Sequence, residues 1–152
     1  EKDIEEALDI FLKFYKNNLT IGTTMYPNVK EKLNKLKSKN YKLAIVTNKP
    51  FEFIKPILDY FDLTDLFIYC IGANSLPQKK PSPIPLLHVC EKLNISVEKS
   101  IMIGDSKNDI ISANEAKMQS IALTYGYNYD EDISIYNPTL ICDNFNCIGK
   151  AL

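Results

Sequence analysis

The chain of 152 residues has no tryptophan, a single histidine (His88), only five glycines, and no C-x-x-C pair among its four cysteines. One histidine and scattered cysteines leave no tetrahedral zinc set. No serine or cysteine nucleophile motif accompanies His88, so it reads as a surface or boundary histidine rather than a catalytic base. Long apolar runs are also missing: the 45% of hydrophobic residues are spread along the sequence, which fits one domain with one core and no membrane span. Excess charge of one sign is absent too. A formal net charge of -1 gives no electrostatic footprint for a nucleic-acid partner. Lysines are dense between Lys30 and Lys42, yet Val29, Leu33 and Leu36 recur there at helical spacing, the mark of a surface helix with a solvated lysine face. Cys70 and Cys142 lie in strand-like runs and Cys90 on an apolar helical face, so the cysteines, Cys147 included, are expected to be reduced and structural. With no signal peptide visible, the expected compartment is the cytoplasm.

What is present is an alternation of helices and short apolar strands. Residues 3–17 read as an amphipathic helix through Ile4, Leu8, Phe11 and Tyr15, and Pro27 delivers the chain to the next helix. A strand at 43–46, a helix around 51–60 and a strand at 67–71 follow. After the proline-punctuated "LPQKKPSPIP" come a helix at 86–93, the strand Ile101-Met102-Ile103, a helix bearing Ile110, Ile111, Ala113 and Ala116, the strand "SIALT" and a last short strand in "TLIC". Unbroken apolar strands separated by helices predict an α/β fold with a parallel sheet covered on both faces.

In such a sheet, ligands bind beyond the carboxyl ends of the strands. Those ends carry Thr47-Asn48-Lys49 and Gly104-Asp105, and the loop before the 86–93 helix offers Lys79-Lys80-Pro81. A hydroxyl, a lysine and paired carboxylates on one rim describe a site for a phosphate and a hard cation. Magnesium takes oxygen ligands, usually one or two carboxylates with water and substrate phosphate completing the shell. Asp105 at a strand end can ligate directly, and Asp109, one turn on, can hold a ligating water or brace its neighbours. The same pair also fits an N-cap followed by a first-turn acid. Thr47 fits a phosphate donor or a local cap, and Lys80 fits a charge-neutralising group or a solvated loop lysine.

Taken together, "LAIVTNKP", "KKPSPIPLL" and "IMIGDSKNDIISANEAKM" resemble, in order, three motifs of the haloacid-dehalogenase (HAD) superfamily of phosphohydrolases, and "LTYGYNY" resembles its bacterial phosphoglycolate phosphatases in particular. The resemblance implies a Rossmann-like core over residues 21–152, with residues 1–20 as the closing helix of a helical cap. It implies a Mg2+ ligand at Asp105, a supporting acid at Asp109, phosphate binding by Thr47 with Asn48 beside it, and a catalytic lysine at Lys80. The substrate would be a small phosphorylated metabolite such as 2-phosphoglycolate. The family's first motif, an apolar strand ending in D-x-D-G-T that supplies the nucleophile, is not in the sequence. Asp130-Glu131-Asp132 follows no apolar strand and reads as a polar loop.

In the family that strand is central, so its absence, with that of most of the cap, should leave two apolar edges facing each other across a gap of ~5 Å on either side of a missing strand. Such a chain is expected to be unstable, to aggregate, or to close the gap by another pairing. The alternatives to a phosphoglycolate phosphatase are a non-catalytic fragment or degenerate relative, and a phosphatase for another small phosphorylated metabolite.

Overall fold

The computed structural model describes residues 2–150, so residues 1, 151 and 152 of the expected cap and core segments lie outside it. In chain order the main elements are α1 (Lys2–Asn17), α2 (Val29–Ser38), β1 (Ala44–Val46), α3 (Ile54–Tyr60), β2 (Tyr69–Ile71), α4 (Ile84–Leu93), β3 (Ile101–Gly104), α5 (Lys107–Glu115), β4 (Gln119–Leu123) and β5 (Leu140–Cys142). The expected alternation is therefore present, with boundaries shifted by one to three residues. Pro27 stands two residues before α2, and Asn28, at φ 64°, turns the chain into it. Glu31 in the first turn of α2 and Lys35 and Lys37 in its last complement the helix dipole. Pro83 and Pro85 open α4, where a missing N–H costs nothing, and left-handed Asn94 closes it.

Every strand pairing is parallel, but the strands form two sheets: β1 with β2, and β3-β4-β5 in that order. Among the described residues, no strand joins β1 to β3. The unpaired edges of these two strands bound an apolar cleft of about 520 Å³, lined by Ala44, Val46, Met102 and Ile103 among others, with Leu33 of α2 and Leu86 of α4. The gap expected from the sequence is thus present, and no other pairing among the described residues closes it.

The core is divided accordingly. Ile54, Leu58 and Leu66 pack with Ile45 and Cys70 around the two-stranded sheet, while Ile121, Cys142 and Ile148 pack with Ile101 and Ile103 on the three-stranded one. A third cluster links them: Leu86 and Cys90 of α4 meet Ala113 of α5, with Val46 of β1 and Met102 of β3 packed against the same group. Helices thus hold together two half-sheets that share no backbone ladder.

The expectation of four reduced cysteines is corrected. Cys142 and Cys147 form a disulfide, their Cα atoms 5.6 Å apart. The chain folds back into a 3-10 turn (Phe145–Lys150) right after β5, which brings a residue five positions on against the strand end. Cys70 and Cys90 remain free, and burial pushes the Cys70 thiol up, keeping it protonated. His88 is half-buried and hydrogen-bonds through Nε2 to the Tyr69 hydroxyl at 3.1 Å. No helix among the described residues is long and apolar enough to cross a membrane.

Ile110 is fully buried on α5 against Ala122 and Ile133. Truncating it leaves a cavity that fixed backbone cannot fill. Ile110→Ala is expected to lower the unfolding free energy by about 2–5 kcal/mol without changing the urea m-value; equal midpoints for variant and parent would show that α5 is not packed as described.

Candidate active site

Lys80 is the point where the strand ends meet. It is 7% exposed, and its ammonium donates to the Val46 carbonyl at the end of β1 (2.6 Å) and to Asp109 Oδ1 in the first turn of α5 (2.5 Å). An ammonium has three N–H donors. Two are thus committed to the protein, and one is left for a further acceptor such as a phosphate oxygen. Asn48 fixes the backbone behind it: Asn48 Nδ2 donates to the Lys80 carbonyl at 2.8 Å, and the Lys80 N–H donates to Asn48 Oδ1 at 3.1 Å. Both ends of the Asn48 amide are engaged in this way, so its side chain positions Lys80. The neighbouring Lys79 is exposed.

Asp109 is 5% exposed and does two jobs. One oxygen meets Lys80; the other accepts the Ser106 N–H at 3.1 Å, while Ser106 caps α5 by accepting from Asn108 N. The N-cap is therefore Ser106, not Asp105, and Asp109 closes a capping box with it. Capping and ion pairing coexist in one carboxylate. Gly104 makes room for this, since a Cβ there would overlap the Asp109 carboxyl.

Asp105, freed from capping, stands half-buried at the end of β3. Its Oδ2 accepts the Tyr127 N–H at 3.1 Å, and a Cβ at Gly126 would run into its carboxyl group. The segment after β4 therefore wraps the start of α5: Tyr127 holds Asp105, and Asn128 Oδ1 accepts the Lys107 N–H at 2.7 Å. Tyr125 packs edge-on against Tyr26, with ring centroids 4.7 Å apart. Burial raises the pKa of its hydroxyl, with the charges of Tyr26 and Asp105 adding to the effect, so it stays a neutral donor. That hydroxyl is buried and has no hydrogen-bond partner among the described residues.

Thr47 follows β1, and its Oγ1 accepts the Lys49 N–H at 3.1 Å, leaving the hydroxyl proton to donate. Local capping and an outward donor are compatible in one hydroxyl. Lys49 sits beside it on the rim, its ammonium against the Tyr15 hydroxyl and 4.6 Å above the Tyr15 ring, which ties α1 to the end of β1.

The fold thus brings Lys80, Asn48 and Asp109 into direct contact and sets Thr47 and Asp105 at the ends of the strands that Lys80 links. Asp130, Glu131 and Asp132 are exposed, as expected of a polar loop; Glu131 pairs with Lys107 at 2.9 Å, and Asp132 caps a short turn. Sequence reasoning missed the clamp of Asn48 on Lys80, the Lys49–Tyr15 contact, and the bracing of Asp105 by Gly126 and Tyr127. Only the cap had left a readable signal, the Ser106-x-x-Asp109 spacing. Among the described residues, no three His, Cys, Asp or Glu side chains gather as a ready metal cage. Asp105 fits a magnesium ligand that shares the ion with water and phosphate oxygens, whereas both oxygens of Asp109 are already engaged.

A haloacid dehalogenase-like hydrolase model matches residues 1–123 of the chain. The phosphoglycolate phosphatase of Psychrobacter arcticus is 46% identical over 152 residues, covering 100% of this chain and 66% of that protein. That of Colwellia psychrerythraea is 47% identical over 142 residues, or 93% of this chain and 63% of its own length. The crystal structure of a predicted phosphoglycolate phosphatase from Haemophilus somnus superposes with a TM-score of 0.91 at 42% identity, covering 93% of this chain and 63% of that one. The chain therefore spans a little under two thirds of the length of these relatives.

Removing the Lys80 ammonium leaves Asp109 as a buried charge without its partner. Breaking a buried pair from one side costs about 3–5 kcal/mol, whereas an exposed lysine typically contributes within about 0.5 kcal/mol. Lys80→Ala should accordingly shift the urea midpoint far more than Lys79→Ala; equal shifts for the two variants would contradict the burial of Lys80.

Proposed function

The chain belongs to the haloacid dehalogenase-like hydrolase family, and from that premise we propose that it carries the phosphate-binding rim of a magnesium-dependent phosphomonoester hydrolase acting on 2-phosphoglycolate. The observation that carries this reading is the buried Lys80, with two N–H groups anchored and one left over, between strand ends bearing Thr47 and Asp105. The name shared by the relatives supports the choice of substrate.

Phosphoryl transfer asks the protein mainly for positioning and for charge placed where the transferring group becomes more negative. Lys80 would donate to a phosphoryl oxygen from a fixed position. Its ammonium cannot swing away without losing the Val46 carbonyl and Asp109 together. Thr47 would add a neutral donor beside it. Asp105, oriented by Tyr127, would hold the magnesium ion, which supplies Lewis-acid charge to the phosphate when bound. Asn48 and Asp109 act through Lys80 and are positioning residues.

The attacking group would be the aspartate of a D-x-D-G-T strand, a motif absent from these 152 residues. Its carboxylate would displace glycolate from phosphorus to give an aspartyl-phosphate, with a neighbouring acid protonating the leaving oxygen, and water would then release phosphate. The 152 residues alone should accordingly turn over no phosphoglycolate.

The test is steady-state kinetics with 2-phosphoglycolate on a protein that joins these residues to such a strand. Asp105→Asn should raise the magnesium requirement and lower kcat/KM by orders of magnitude. Asp109→Asn should do so less, about 10- to 100-fold, as befits a side chain acting through another. Unchanged magnesium dependence in Asp105→Asn would overturn the reading, and so would turnover of other small phosphomonoesters in preference to phosphoglycolate.

A further inference from the structure

A disulfide is a bond that a solute can open and close, and the one between Cys142 and Cys147 stands at a structural joint. Cys142 ends β5 and is 1% exposed, whereas Cys147, five positions on in the 3-10 turn, is half-buried. The hydrogen bonds of this turn are local: Cys147 N donates to the Asn144 carbonyl at 3.3 Å and Asn146 N to Asn144 Oδ1 at 3.1 Å. What fixes the turn to the sheet is the disulfide together with Phe145 and the fully buried Ile148, which pack with Ile121, Leu123 and Cys142.

The same joint reaches the rim. The Cys142 carbonyl accepts the Thr124 N–H at 3.0 Å, one residue past β4. Tyr125 comes next and packs on the cluster that holds Phe145, Cys147 and Ile148, while its carbonyl accepts the Tyr26 hydroxyl at 3.3 Å. Gly126 and Tyr127 follow, the two residues that brace the Asp105 carboxylate. That brace is thus seated on Tyr125, and Tyr125 on the turn that the disulfide closes.

The pair is insulated from the other two cysteines. Cys70 packs around the two-stranded sheet, and Cys90 in the α4–α5 cluster, its sulfur 3.5 Å from the Ser100 hydroxyl. Neither belongs to the cluster of Cys142 and Cys147. A chain segment of five positions keeps the two thiols close once parted, so the bond re-forms between the same partners at low entropic cost.

We propose that Cys142–Cys147 is a redox modification site, opened by a dithiol reductant, and that its opening frees the 3-10 turn and releases the brace on Asp105. The reductant's thiolate attacks Cys147 Sγ, the more exposed sulfur. A bond forms between the reductant and Cys147, the Cys142–Cys147 bond breaks, and Cys142 leaves as a thiolate that takes up a proton. The reductant's second thiolate then attacks its own sulfur in this mixed disulfide, and Cys147 leaves and is protonated in turn. Two electrons pass to the protein, and the reductant departs as a disulfide. Freed from β5, the turn no longer packs Tyr125, so the Thr124 bond to Cys142 and the Tyr127 bond to Asp105 open more often. The oxidised chain is the braced form and the reduced chain the loose one. The consequence for magnesium rests on the reading of Asp105 given above; the release itself does not.

The test uses the full 152-residue chain without magnesium, so its result stands whether or not Asp105 ligates the ion. Alkylation after unfolding is expected to label two thiols in the air-oxidised chain and four after incubation with dithiothreitol. In the folded chain, reduction should speed hydrogen exchange at the Thr124 and Tyr127 amides by about tenfold or more, with the Leu58 amide of α3 unchanged. Cys147→Ser should exchange at the fast rate from the start and be insensitive to dithiothreitol.

Four thiols in the air-oxidised chain would overturn the proposal. So would exchange at Thr124 and Tyr127 that reduction leaves unchanged, since the bond would then be a passive staple. Equal acceleration at Leu58 would show global unfolding in place of local release and overturn it as well. Should Cys147→Ser fail to fold, the unsubstituted chain before and after reduction decides.

Discussion

The buried contact between Lys80 and Asp109 is the constraint from which most of the structure follows. Two parallel half-sheets share no ladder, so something else must hold their carboxyl ends at one level. The α4–α5 apolar cluster supplies cohesion, but apolar packing is non-directional and tolerates sliding. An ammonium held between a strand carbonyl and a carboxylate that itself caps a helix does not slide. It ties the end of β1 to the start of α5, and through Gly104 to the end of β3. Burying both charges is expensive, and replacing such pairs with apolar residues is often neutral or stabilising. Retention of this one is readily understood if its third donor serves a ligand.

The same joint explains how much of the site was visible in sequence. Thr47 and Asp105 follow the ends of apolar runs and Lys80 stands directly before a proline in a proline-rich loop, so the positions could be read from local pattern. Their division of labour could not. Asp105 and Asp109 have one residue type and similar local settings, and only the fold shows that Ser106 takes the cap, that Asp109 turns inward to Lys80, and that Asp105 is left at the rim. Asn48 is separated from Lys80 by 32 positions, and no periodicity links an amide to a backbone that far along the chain. Glycine is similarly opaque. Gly104 and Gly126 matter because carboxylates lie against them, a packing fact with no local signature.

The architecture was legible for a different reason. Parallel strands buried on both faces must be apolar throughout, and the helices between them must carry one apolar stripe, so the βα alternation is written into composition at each position. The missing partner between β1 and β3 was legible only through comparison with a whole pattern, since neither edge strand carries a mark of being unpaired. Neither edge has the lysines, prolines or bulges with which proteins usually blunt an exposed edge. The Ala44–Val46 and Ile101–Gly104 strands read as interior strands, and in the structure each lacks one neighbour. The disulfide lay beyond sequence reasoning, because strand-like and loop cysteines meet only once the chain folds back after β5.

Cleft and site meet at one place. A strand running parallel to β1 and β3 would leave the cleft at the rim, between Thr47 and Asp105, with Lys80 spanning the same opening. Its last residues would be set at the rim that carries Thr47 and the Lys80 ammonium, without any loop having to reach across. The backbone bonds that seat such a strand would therefore also fix the height of whatever side chain stands at its end, to within the tolerance of a sheet register. In phosphoryl transfer a misplacement of about 1 Å can cost 100-fold in rate, and a doubly paired strand is among the stiffest mounts a protein can offer. Structural completion of the sheet and chemical completion of the rim are then a single event.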